Sequence, residues 1–187
     1  MTRISHLLKR TALLFPFFIL CSFTFDRLPP VYKTAAAHSL IQVAPFGKTI
    51  ELEDGSVWSI NSFDSYKTLR WRTNDPLIIT QNSRWFASYD YKIVNQYTET
   101  AIEANLLLGP VRNGEYTRYI LSLDPVRGEI VLNDATRWEV SADDASTFLS
   151  WIENDPIIVG YNSGEDSSCN GILINVSMND FVRTKQF

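Results

Sequence analysis

Apolar and polar residues alternate with a period of two along much of the chain. In Thr49–Glu53 the apolar positions are Ile50 and Leu52, and in Val57–Ile60 Ser59 separates Trp58 from Ile60. Such alternation predicts half-buried strands, because successive side chains of a strand point to opposite faces. Asp54-Gly55 between the two runs predicts a tight hairpin turn. The pattern then changes. Asp64 opens a short helical piece as its N-cap, Asp75-Pro76 breaks it, and a strand rich in β-branched residues follows over Leu77–Thr80. Two more strands are predicted near Tyr91–Asn95 and Ala101–Leu107.

The same order is written a second time. A shift of 80 aligns residues 38–107 with 118–187 without a gap and gives 16 identities over 70 positions. They include Asp54/Asp134, Trp58/Trp138, Asp64/Asp144, Trp71/Trp151, Asp75/Asp155, Pro76/Pro156 and Asn95/Asn175. Copy two therefore predicts a helical piece over Asp143–Trp151 with Asp144 as N-cap, and strands at Ile157–Gly160, Gly171–Val176 and Phe181–Lys185. Ala135 stands where copy one has Gly55, which counts against a turn demanding positive φ there. Residues 108–117 join the copies as a hairpin linker. Their Asn113-Gly114, between apolar runs, predicts that the end of copy one pairs with the start of copy two. The expected fold is all-β for the most part: two tandem, duplicated, small barrels of five or six strands, SH3-like or OB-like, each with one short helical turn. A 70-residue unit buries a marginal core alone, so the copies are expected to pack on each other.

Residues 1–37 read differently. Arg3, Lys9 and Arg10 precede Ala12–Phe25, fourteen residues without a charge, in the order of a secretory signal. A spanning helix needs roughly 20 apolar residues, so this run is short for an anchor. Thr34-Ala35-Ala36-Ala37 supplies small residues for cleavage after Ala37, with an uncleaved anchor or a lipid on Cys21 as the alternatives. All three place the body outside the cytoplasm, in the periplasm, in the cell envelope or secreted. Membrane contact is expected only through this segment. Removing it takes away five basic residues and one acidic one, leaving 12 against 20 and a net charge of −8. That balance excludes nucleic acid as a partner. One cysteine, Cys169, remains, so no disulfide is expected within the chain and a free, unreactive thiol is the reading.

The string Asp54-Gly55-Ser56-Val57-Trp58, then Trp71 three residues before Asn74-Asp75, then Pro76-Leu77-Ile78-Ile79 leading to Asn82, resembles a short module of uncharacterised exported bacterial proteins. Both copies carry it. The resemblance implies a bacterial envelope setting and brings no activity or site residues with it.

Catalytic chemistry has little to draw on. The only histidines are His6, in the signal-like segment, and His38, so neither a histidine-based triad nor a histidine zinc site is expected. No phosphate-binding glycine loop, calcium-loop motif, metal site or cofactor is predicted. Asp54/Asp134, Asp64/Asp144 and Asp75/Asp155 recur at matched positions. They are read as turn and cap residues, with a carboxylate-dependent hydrolase of the envelope as the alternative if they converge in one cleft. The paired tryptophans are read as core. The copies differ where surface chemistry would sit: copy one has Arg84-Trp85-Phe86 against Gly164-Glu165-Asp166, and Lys67, Arg70 and Arg72 against Thr147, Ser150 and Ile152. These six residues form the candidate binding patch of a non-enzymatic binding or structural protein that contacts a protein, peptide or glycan.

Overall fold

A computed structural model describes residues 37–84, 86–164 and 168–187. The signal-like segment before Ala37, Cys21 and Trp85 lie outside the described residues, as do Glu165 and Asp166. The chain is mostly β, and its first six strands close on themselves. They are β1 (Ala37–Val43), β2 (Thr49–Leu52), β3 (Val57–Ile60), β4 (Pro76–Gln81), β5 (Tyr91–Asn95) and β6 (Thr100–Leu108). The order around the ring is β1-β2-β3-β6-β5-β4, and β4 returns to β1 through Ala37↔Ile78 and His38↔Leu77. A single helical turn, α1 (Ser65–Thr68), lies between β3 and β4.

Six further strands follow: β7 (Arg118–Asp124), β8 (Glu129–Leu132), β9 (Arg137–Val140), β10 (Pro156–Tyr161), β11 (Gly171–Asn175) and β12 (Asp180–Gln186). They pair in the order β7-β8-β9-β12-β11-β10, and β10 also meets β7 at Pro156↔Tyr119 and Ile157↔Arg118. A second helical turn, α2 (Ala145–Phe148), follows β9.

Period-two patterning decides which face of each hairpin is buried. In β2 and β3 every second residue is inside, so Ile50, Leu52, Trp58 and Ile60 face the ring interior. Ile130, Leu132, Trp138 and Val140 alternate likewise in β8 and β9 and enter a second core. The runs Leu77-Ile78-Ile79 and Ile157-Ile158-Val159 break this alternation because β4 and β10 are buried on both faces. Leu77 and Ile79 enter the first core, while Ile157 and Val159 enter the second. The first core also takes in Ile158, Ile172 and Ile174 from the later strands, with Phe181 packed against it. The two halves therefore share apolar surface along β4, β5, β10 and β11, as the small size of each core requires. At the seam Tyr161 pairs in parallel with Thr80, and the side-chain amides of Gln81 and Asn162 meet.

Three expectations are corrected. First, β6 does not pair with β7. β6 pairs with β5 over its first half and with β3 over its second, β7 pairs with β10 at its start and with β8 beyond, and the linker between them docks on the β2–β3 turn instead of closing a hairpin. The Asn113-Gly114 turn exists, with Asn113 at φ 59. It is closed by Gly114 N–H to Val111 O and by Thr117 Oγ1 to Val111 O, and it docks through Val111 N–H on Asp54 O at 2.8 Å. Second, Ala135 adopts φ 65 and keeps the turn that Gly55 makes at φ 81. Asp134 holds it there by accepting from Thr136 N–H and Thr136 Oγ1 while its other oxygen accepts from Arg118 Nε at 2.8 Å. Third, neither Asp64 nor Asp144 makes an N-cap hydrogen bond. Each carboxylate reaches across to the last strand of its own half, accepting from Glu103 N–H at 2.8 Å and Arg183 N–H at 2.7 Å.

Candidate functional site

The matched aspartates are occupied one by one with backbone. Asp54 accepts from Ser56 N–H at 2.8 Å and Asp134 from Thr136 N–H at 3.0 Å. Asp75 accepts from Arg72 N–H and from Asn95 Nδ2; Asp155 accepts from Ile152 N–H and from Asn175 Nδ2. Asn95 in turn caps the following turn by accepting from Tyr97 N–H and Thr98 N–H. Buried carboxylates that receive several donors are satisfied groups with a structural duty. Burial pushes the Asp134 carboxyl up, but Thr136 and the Arg118 guanidinium outweigh it and hold it below its ordinary value. The paired tryptophans are buried, each with its indole N–H donated locally: Trp58 to Ser56, Trp138 to Thr136, Trp71 to Thr100 and Trp151 to Asp180. The tryptophans are closed to a ligand, and of the matched aspartates Asp134 borders a cleft.

One cleft lies on the seam between the halves, with a volume of about 380 Å³. Asn82, Arg84, Tyr89 and Asp90 from the β4–β5 loop line one side, and Asn179 and Phe181 from the later half line the other. Asn82 fixes that loop by donating from Nδ2 to Tyr89 O at 3.0 Å, the bond Asn162 makes to Cys169 O in the sister loop. Tyr91 and Phe181 meet edge to face at 6.1 Å beneath the cleft. Burial, together with the charges of Asp90 and Asp180, holds the Tyr91 phenol far above its ordinary value, so it stays neutral. Burial and the Asp155 charge raise Asp180 as well, against the indole of Trp151.

Of the six residues of the expected patch, the five that are described separate into three groups. Arg84 lines the cleft and donates from Nη1 to Glu103 Oε1 at 3.1 Å. Lys67, which does not line the cleft, pairs with Asp64 at 2.7 Å, and Asp64 also accepts from the backbone N–H of Glu103, the residue whose carboxylate holds Arg84. Phe86 is 92% exposed, outside the cleft lining. Arg70 and Arg72 are exposed beyond α1, also outside the cleft lining. Trp85 lies outside the described residues. Tyr89, Asp90, Asn179 and Phe181 were not singled out from the sequence. The signal that could have found them is divergence between the copies, since Tyr89 matches Cys169, Tyr91 matches Gly171 and Phe181 matches Ala101.

A second cleft of about 370 Å³ carries Ser39 and Glu53 on one wall and Arg118, Asn133 and Asp134 on the other. Behind it His38 is buried, hydrogen-bonded to Glu53 Oε1 and to Val159 O, each at 2.8 Å, and so ties β1 to β10. Among the described residues no group of three or more His, Cys, Asp or Glu side chains could hold a metal ion, and no helix is long and apolar enough to cross a membrane. Cys169 is buried beside Ser168.

No family model, no curated protein and no solved structure matches the chain.

Proposed function

We propose that this chain is a non-enzymatic binding protein of the bacterial envelope or of a secreted fraction, which contacts a glycan through the seam cleft. A protein or peptide partner is the neighbouring form of the same reading. The cleft at Arg84 carries it. Tyr89 and Phe181 offer aromatic surface, while Arg84, Asp90 and Asn179 offer planar hydrogen-bonding groups around it, the mixture that recognises a sugar ring. The hydrolase alternative is disfavoured by the individual backbone duties of the matched aspartates.

We read strands β7–β12 as a second small barrel produced by duplication, of the SH3-like or OB-like kind. The reading is supported by the identical pairing order of the two sets and by the constant offset of 80 between matched residues. Export is supported by the basic residues followed by the uncharged run Ala12–Phe25, ahead of the first strand.

The test is saturation-transfer NMR of the chain against a panel of envelope oligosaccharides. Transfer to sugar protons is expected, and Tyr89→Ala or Asn179→Ala should abolish it with folding intact. Absence of transfer from every oligosaccharide, or equal transfer in both variants, would refute the reading.

A further inference from the structure

Away from the clefts, the most exposed apolar side chains near α1 gather in one place. Phe46 lies in the 3-10 turn Pro45–Gly47, and Phe63, Tyr66 and Leu69 lie on and beside α1. Their exposures are 79%, 84%, 63% and 60%. The two segments are packed together: Thr68 Oγ1 donates to Gly47 O at 3.1 Å, and a Cβ on Gly47 would stand 2.1 Å from Ser65 O. Gly47 and Thr68 face inward, which leaves the aromatic rings outward. Lys48, Arg70 and Arg72 are exposed in the same segments. Phe46 is held at φ 68, a left-handed conformation unfavourable for a phenylalanine, and burial does not offset it.

The second copy serves as an internal control. It builds the corresponding turn and helix with Val126, Asp143, Ser146 and Leu149, and it has Gly128, Ser150 and Ile152 where the cations stand. The scaffold therefore requires neither the aromatics nor the positive charges.

We propose that this aromatic and cationic turn docks on an anionic lipid bilayer, with Phe46, Phe63 and Tyr66 entering the interface and Lys48, Arg70 and Arg72 lying among the headgroups. Side chains this exposed stand proud of the surface and cannot enclose a small ligand. A soft interface accepts protruding aromatic rings at its apolar boundary and cations at its charged one. The charge of the turn is complementary to that surface although the body beyond residue 37 carries a net charge of −8.

The test uses the full chain in flotation assays with phosphatidylcholine vesicles, with and without phosphatidylglycerol. Whatever residues 1–37 contribute is then common to every variant. Phe63→Asp with Tyr66→Ser gives copy one the residues of copy two. This double variant is expected to lower the partition coefficient on phosphatidylglycerol vesicles by about tenfold or more. Arg70→Ser, at an exposed position, is expected to lower it by about fivefold and to weaken its dependence on salt. Wild-type binding that is no tighter to phosphatidylglycerol vesicles than to phosphatidylcholine alone would overturn the proposal. So would unchanged binding of Arg70→Ser and of the folded double variant, which would leave the turn as a contact for a protein.

Discussion

His38→Gln probes how the two halves are tied. The imidazole lies between two groups that can only accept, the Val159 carbonyl and the ionised Glu53 carboxylate, each at 2.8 Å. Both ring nitrogens must therefore donate, which requires the imidazolium. Burial alone would depress its pKa, but the hydrogen bond and charge of Glu53, the charge of Asp54 and the Val159 carbonyl together raise it above 6.5. For Glu53, burial is likewise outweighed by His38 and by Ser39 N–H, and its pKa falls below 4.5.

The signs follow by linkage. The histidine contribution is fully present below pH 6.5 and is lost as pH rises through the folded pKa, while the glutamate contribution is present above pH 4.5 and is lost as pH falls through its own. Stability from the pair is thus greatest between these two values. Above pH 6.5 it should decline by up to about 1.4 kcal/mol per pH unit until the folded pKa is passed. Glutamine keeps one donor for Val159 but removes the charged arm, a loss of about 2 kcal/mol at pH 5.5. The assay is urea unfolding followed by fluorescence of the buried tryptophans at several pH values from about 5.5 to 9. His38 is the only histidine among the described residues, so the part of the slope that vanishes in His38→Gln belongs to it, whatever the buried Cys169 thiol adds toward pH 9 in both proteins. A wild-type stability that is flat across the window, or a slope retained in His38→Gln, would refute the argument.

The same unfolding assay checks three further expectations. Ala135→Gly should stabilise by about 0.5–1 kcal/mol because the native φ of 65 suits glycine, whereas Gly55→Ala should destabilise by more than about 1 kcal/mol, its Cβ landing 2.4 Å from Val111 Cγ2. Thr184→Val should stabilise by about 1 kcal/mol, since the Thr184 hydroxyl is buried without a hydrogen-bond partner and valine keeps its shape. Asn95→Ala should destabilise by about 2–4 kcal/mol, because it strips a donor from buried Asp75 and an acceptor from Tyr97 and Thr98 N–H; thermal denaturation gives an independent reading.

Local chemistry made part of this fold legible. Ile50, Leu52, Trp58 and Ile60 alternate in the sequence and face one interior in the structure; Asp54 turns the hairpin; Asp75-Pro76 starts β4. What could not be read is who meets whom across long separations. His38 bonds to a carbonyl 121 residues away, and nothing in its neighbourhood signals that partner. The Asn113-Gly114 signal was correct about a turn and wrong about a hairpin, because the strands on either side pair within their own halves and the linker docks on the β2–β3 turn through Val111. Asp64 was expected to cap its own helix, yet the helix is one turn long and the carboxylate serves the adjacent strand β6 instead. Of the candidate site, Arg84 was legible as a difference between the copies. The opposite wall, Asn179 and Phe181, comes from the other half and depends on how the halves pack.

That packing also explains why a cleft forms beside Tyr91. Tyr91 pairs across the sheet with Ala104, and the matched pair in the second half is Gly171 with Thr184. In the first half the large ring sits on β5 over the small Ala104 and meets Trp58 edge to face at 5.5 Å. In the second half the β-carbon has been given up at Gly171, where it would stand 2.8 Å from the Trp138 ring, and the larger residue, Thr184, is on β12. The exchange moves bulk from one strand to its neighbour and leaves each tryptophan packed. Tyr91 meets Phe181 of the other half, and the two rings together line the cleft, whereas Gly171 at the matched position has no side chain to do so. The divergence at this pair thus makes two sets of matched strands into a molecule with one distinguishable face.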